Sequence, residues 1–145
     1  MSELDILNSK ILFLCTGNSC RSQIAEGLAK HYIKSSFIKS AGTHPDPINP
    51  IAIEVMSEIN IDISNCKSKS ISQQEIKNMD IIITLCGDAK EECIILQNSL
   101  NKHIHWDIKD PAKARGSKDE LLSVFRETRD LLKEKILSFN LNHGK

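Results

Sequence analysis

Two short apolar runs constrain this chain most: Lys10–Cys15 reads KILFLC and Met79–Leu85 reads MDIIITL. Each is of strand length and apolar at successive positions, which suits a strand buried on both faces. Between and beyond them the pattern turns helical. A small polar turn, Thr16–Ser19, leads into RSQIAEGLAKHYI, where Ile24, Leu28 and either His31 or Tyr32 recur at helical spacing. Residues 36–41 suit a second short strand, ending in the turn-like Gly42–Pro47. Asn49 followed by Pro50 reads as a helix start, with Asn as cap and Pro in the first turn. Ile53, Met56 and Ile59 would give that helix its apolar face.

Residues 62–78 are polar and irregular, with one short helix near Ser72–Lys77. After the second apolar run, Gly87–Leu96 reads as helical, His103–Trp106 as a short strand and Asp107–Gly116 as a loop. A last amphipathic helix runs from about Ser117 to Phe139. Leu121, Leu122, Phe125, Leu132, Ile136 and Phe139 form its stripe. Strands alternating with helices predict an α/β fold: a single domain, with a central four-stranded parallel sheet and helices on both faces. Residues 1–9 are expected to be a flexible tail and 10–145 the domain. Open parallel sheets bind ligands beyond the carboxyl ends of their strands. Three segments fall at such ends: Cys15–Ser22, Cys86–Cys93 and Asp107–Arg115.

The charge balance narrows the partners. Lys plus Arg and Asp plus Glu number 19 each among 145 residues, so nothing favours nucleic acid or an anionic membrane. Affinity for an anion must come from a local site. The opening MSELDILNSK lacks the basic-then-apolar pattern of a secretion signal, and no apolar run reaches membrane-spanning length. The expectation is a soluble cytoplasmic protein of a size that suits a monomer. Five cysteines, Cys15, Cys20, Cys66, Cys86 and Cys93, are many for this length. They could be small buried hydrophobes. The odd count argues against a disulfide framework, and the absence of a C-x2-C pair argues against zinc. Redox or nucleophilic chemistry is the remaining use.

Cys15-Thr-Gly-Asn-Ser-Cys-Arg21-Ser22 lies between a buried strand and a helix, with five residues between Cys15 and Arg21. That is enough chain to curl around a tetrahedral anion, with Thr16, Gly17, Asn18, Ser19 and Cys20 as its wall. Inward N–H groups and the following helix N-terminus would supply positive potential. Gly17 permits a backbone that a Cβ would resist. Arg21 offers a planar fork for two anion oxygens. The same field would favour the thiolate of Cys15, its nucleophilic form. Ser22 and Asn18 are candidates to hydrogen-bond that sulfur or to hold the loop in shape.

Cys15–Ser22 resembles the phosphate loop of low-molecular-weight protein tyrosine phosphatases and of the arsenate reductases that share their fold. CTGNSCRSQIAEG at 15–27, with Ser40-Ala-Gly42, is similar to the thioredoxin-coupled arsenate reductase branch. The similarity continues through Asn49-Pro50, Ile61–Asn65, Thr84–Asp88, His105-Trp106 and Asp110-Pro111. The resemblance implies arsenate as substrate, thioredoxin as electron donor and no organic cofactor. It also implies that Asp110 is the general acid protonating the leaving oxygen.

The resemblance further implies a relay. Cys15 attacks arsenate, Cys86 attacks Cys15 to release arsenite, and Cys93 attacks Cys86, moving the disulfide outward by thiol–disulfide exchange. Were 86–93 a continuous helix, the two Cα atoms would stand about 10 Å apart. A disulfide tolerates only about 4.4–6.8 Å. A switch between about Cys86 and Gln97, unwinding on oxidation, is therefore predicted.

The alternative is a low-molecular-weight tyrosine phosphatase, which needs one cysteine and typically carries aromatic residues just after the Asp-Pro dipeptide. Here the text is Asp110-Pro-Ala-Lys-Ala, and the chain has six aromatics (one Trp, one Tyr, four Phe). Cys20 and Cys66 receive no step. His44, His103 and His105 have no ligand spacing, and Lys109, Lys113 and Arg115 read as a solvated loop beside Asp110. Some members of the resembling family bind potassium with groups matching Asn18, Glu26 and Ser40. An acidic residue often completes that site, whereas this chain offers Lys69. A lysine ammonium could stand in for the ion, and no metal is assigned.

Overall fold

The apolar run at 10–15 becomes the strand around which the rest assembles. The computed structural model describes residues 9–15, 17, 20–33, 37–42, 45–70, 72–85 and 102–143. The described elements are β1 (Lys10–Cys15), α1 (Arg21–Tyr32), β2 (Phe37–Gly42), α2 (Pro50–Ser57), α3 (Gln73–Lys77), β3 (Ile81–Thr84), β4 (Lys102–His105), a 3-10 turn (Pro111–Lys113) and α4 (Lys118–His143). In β1, Ile11, Leu12 and Phe13 are fully buried, and Leu14 and Cys15 nearly so. Successive strand residues point to opposite faces, so both faces of β1 are covered. The same holds for Ile81, Ile82 and Ile83 in β3.

The four described strands are all parallel, in the order β2-β1-β3-β4. Cys15 pairs with Gly42, Leu14 with Thr84, and Thr84 with His105. This register aligns the carboxyl ends of all four strands along one edge. The sheet and its surrounding helices match the expected α/β architecture. Strand ends differ slightly from the sequence reading: β2 is one residue later than 36–41, and β3 is shorter than Met79–Leu85. The β3 ladder does continue by one bond, from Leu85 N to the Leu14 carbonyl.

Each helix start follows from local chemistry. Asn49 caps α2, its Oδ1 accepting from Ile51 N at 2.9 Å, with Pro50 in the first turn. Ser72 and Glu75 form a reciprocal capping box at α3. Ser117 and Glu120 do the same for α4, at 3.2 and 3.3 Å. In α1, Ile24 and Leu28 are buried as expected, Tyr32 packs against the core, and His31 is exposed. That settles the choice between the last two.

The expected face of α2 needs correction. Ala52, Val55 and Met56 are buried, while Ile53 and Ile59 are only half-buried. The helix is apolar nearly all round, so periodicity alone does not fix its rotation. Its C-terminal end is instead held by α4. Glu58 meets Arg126 at 2.6 Å and Arg129 at 2.8 Å, and Arg129 also donates to the Val55 carbonyl at 2.9 Å. The hydrogen bond from Arg126, together with Arg129, outweighs burial and lowers the Glu58 carboxyl to about 2.

Helix α4 buries Leu122, Phe125, Leu132, Ile136 and Phe139 as expected, with Leu121 only half-buried, and extends to His143. Trp106 links the end of β4 to this helix. Its ring lies 6.1 Å from Phe13 and 6.3 Å from Phe139. The helix expected at Gly87–Leu96, and with it Cys86 and Cys93, lies outside the described residues.

Candidate active site

Cys15 closes β1 at the carboxyl edge of the sheet, buried, with its Sγ 2.8 Å from Ser22 Oγ. Ser22 is fully buried in the first turn of α1. When the sulfur is a thiolate it can only accept, so the hydroxyl must donate to it. Between the two, the Gly17 carbonyl accepts from Asp46 N at 2.8 Å, tying the loop to the chain after β2. Cys20 is buried at the N-cap of α1 and makes no side-chain capping bond. Thr16, Asn18 and Ser19 of the expected anion loop, like His44, lie outside the described residues.

Arg21 gathers the site. Its guanidinium is only 8% exposed, with Nη1 donating to the Ile108 carbonyl at 3.0 Å and more weakly to the Leu85 carbonyl at 3.4 Å. Nη2 stands 3.6 Å from Asp110 Oδ2. One side chain therefore joins two of the segments singled out at strand ends, the Cys15 loop and the loop after β4, and also reaches Leu85 at the end of β3; Cys86–Cys93 lies outside the described residues. Sequence reasoning missed the two carbonyl partners, because a main-chain acceptor leaves no mark on residue identity. Asp110 Oδ1 accepts from Ala112 N at 3.0 Å and so caps the 3-10 turn. Its other oxygen faces Arg21. Lys109, Lys113 and Arg115 are exposed.

A second polar cluster lies further along α1. Glu26, nearly buried, accepts from Ser40 Oγ at 2.5 Å and from Lys30 Nζ at 2.7 Å, with Lys69 Nζ 3.6 Å away. Burial pushes its carboxyl up. The hydrogen bonds from Lys30 and Ser40 and the charges of Lys69 and Lys30 outweigh this and hold it below the usual range. The Glu26–Lys30 spacing of i,i+4 was a visible signal for that contact. Cys66 lies close enough for Glu26 to act on it. Burial first, then the Glu26 charge, push its thiol up, opposite to what a nucleophile needs.

At the far side, His105 Nδ1 lies 2.8 Å from Thr84 Oγ1, bridging the ends of β3 and β4. Among the described residues, no three His, Cys, Asp or Glu side chains cluster as metal ligands. Among those residues, too, no helix is long and apolar enough to cross a membrane.

The arrangement sets a buried thiol beside a hydroxyl, with a buried guanidinium and a carboxyl on the same edge of a parallel sheet. It is equipped to bind a tetrahedral oxyanion and open it at the central atom. The chain is 44% identical over 130 residues to an arsenate reductase of Shouchella clausii, covering 89% of this chain and 93% of that one. It is 31% identical to a solved arsenate reductase in the phosphate binding state, with a TM-score of 0.75 over 92% of this chain and 98% of the other. A tyrosine phosphatase of Erwinia amylovora shares the fold, with a TM-score of 0.82 at 19% identity over 95% of each chain. Residues 10–142 match the family described as low molecular weight phosphotyrosine protein phosphatase. The chain belongs to that family, and within it stands with the arsenate reductases.

Proposed function

We propose that this protein reduces arsenate to arsenite through a three-cysteine relay regenerated by thioredoxin. Cys15 is the nucleophile. Its thiolate attacks arsenic, an As–O bond breaks, and the departing oxygen takes protons to leave as water, with Asp110 as the acid. Arg21, with the loop 16–22, holds the remaining oxygens. Cys86 then attacks the Cys15 sulfur. The S–As bond breaks with its electron pair going to arsenic, which leaves as arsenite at the three-valent level, and a Cys15–Cys86 disulfide remains. Cys93 attacks Cys86, freeing Cys15, and thioredoxin reduces the Cys86–Cys93 bond.

The observation that carries this reading is the meeting of Arg21 with Asp110 on the edge where Cys15 ends β1. That meeting supports a reading in which an anion-binding group and an acid act beside Cys15. The sequence relatives named arsenate reductase support the choice of substrate, and a phosphatase has no use for Cys86 and Cys93. The deciding measurement is arsenate-dependent NADPH oxidation with thioredoxin and thioredoxin reductase. Turnover in the wild type and its loss in Cys93→Ser are expected. Absence of turnover together with brisk hydrolysis of an aryl phosphate would establish the phosphatase instead.

A further inference from the structure

The resemblance to potassium-binding relatives can be tested on Glu26 and Ser40, the two matching groups among the described residues. They do not offer an ion its ligands. Potassium is held by oxygen lone pairs, and the carboxylate that would supply the charged ligand is already engaged: the Ser40 hydroxyl donates to Glu26 Oε1. Lys69 Nζ faces the same oxygen and Lys30 Nζ takes the other. Among the described residues, this carboxylate thus faces two ammonium groups, which supply the positive charge that an ion would bring. The downward shift of the Glu26 carboxyl agrees with a position already supplied with positive charge.

Lys69 is also fixed at its main chain. Its carbonyl accepts from Gly42 N at 2.8 Å, at the end of β2. Two residues earlier, the Lys67 carbonyl accepts from Gln23 Nε2 at 3.2 Å, on α1. The segment carrying the ammonium is therefore bound to both elements that the Glu26–Ser40 contact joins. We infer that Lys69 is a built-in cation: its ammonium does at Glu26 what a bound monovalent ion does in relatives with an acidic residue at this position. The fold behind the anion loop is accordingly indifferent to potassium. This holds whether the chemistry at Cys15 is reduction or hydrolysis.

The test is thermal unfolding of the full chain in potassium, sodium and choline chloride at equal ionic strength. The wild type should melt within about 1 °C of the same temperature in all three, as expected when no salt ion binds the native state selectively. Lys69→Asp should melt lower in choline chloride and recover selectively in potassium chloride, by about 3 °C or more. Lys69→Ala should show the same selectivity to a smaller extent, and it carries the comparison should Lys69→Asp not fold. A potassium-selective rise in the wild type overturns the inference, because an ion would then bind beside Lys69. Equal responses to the three salts in every variant that folds also overturn it, because the ammonium would then not be filling a cation's place.

Discussion

The Arg21 guanidinium reaches the Asp110 carboxylate across 3.6 Å, joining the first turn of α1 to the loop after β4. At that distance the two attract each other without a short hydrogen bond. Asp110→Asn keeps the side-chain size and removes the transferable proton. It should lower kcat by roughly 10²–10⁴ while moving KM for arsenate little. Steady-state kinetics of the thioredoxin-coupled reaction would check this, and a loss confined to KM would assign Asp110 to binding.

Ser22 contributes through its hydroxyl, 2.8 Å from Cys15 Sγ. A hydrogen bond to a charged group is worth about 1.5–3 kcal/mol, and about 1.4 kcal/mol is a factor of ten. Ser22→Ala should therefore slow alkylation of Cys15 by iodoacetamide at neutral pH by about tenfold or more. An unchanged rate would mean that the hydroxyl serves only the loop's shape.

Acid should act on the joint between α2 and α4. Glu58 has its carboxyl lowered from 4.5 to about 2, chiefly by the hydrogen bond from Arg126. A carboxyl lowered in the folded state adds stability above its unfolded value, and this is lost as pH falls through the folded one. Urea melts should find Glu58→Gln less stable than wild type at pH 7. The gap should narrow below about 4.5 and close near about 2. A gap that stayed constant over that range would assign the loss to packing.

Gly27 marks a close approach of α1 to Met56, Ile61 and Ile63. A Cβ built there would lie 3.0 Å from Ile63 Cγ2 and 3.0 Å from Met56 Cε. Gly27→Val adds two more carbons in that direction, and overpacking of this kind costs about 1–3 kcal/mol. A drop in chemical stability of about that size is expected, measured by the urea midpoint at unchanged slope. A variant as stable as wild type would show that Met56 and Ile63 can move aside.

Much of this architecture could be read from residue order, for identifiable reasons. KILFLC and the Asn49-Pro50 start are local signals whose outcome depends on a few neighbours, and both appear as expected. Cys15, Arg21 and Ser22 drew attention because they lie close together along the chain between a strand and a helix, whereas Asp110 did so only through the family resemblance, an Asp-Pro pair by itself reading as a turn. The buried face of α2 was not legible, because Ile51, Ile53 and Ile59 compete with Ala52, Val55 and Met56 for the core. The choice is made partly by Glu58 meeting α4, a partner some 70 residues away. Local spacing did not place Lys69 against Glu26 either; only the family resemblance set it beside that site. That contact depends on how the chain after residue 61 returns across α1 and β2.

The manner in which Arg21 is held has a consequence for how such a protein can change over generations. Its Nη1 contacts are the main-chain carbonyls of Leu85 and Ile108, and every amino acid carries a carbonyl. Substitution at 85 or 108 by another apolar residue leaves those acceptors in place. Residues immediately after position 85 can likewise be exchanged without withdrawing the Leu85 oxygen that Arg21 holds. A lineage could thus rewrite the chemistry beyond β3, acquiring or losing thiols there, while Arg21 stays anchored in the same place.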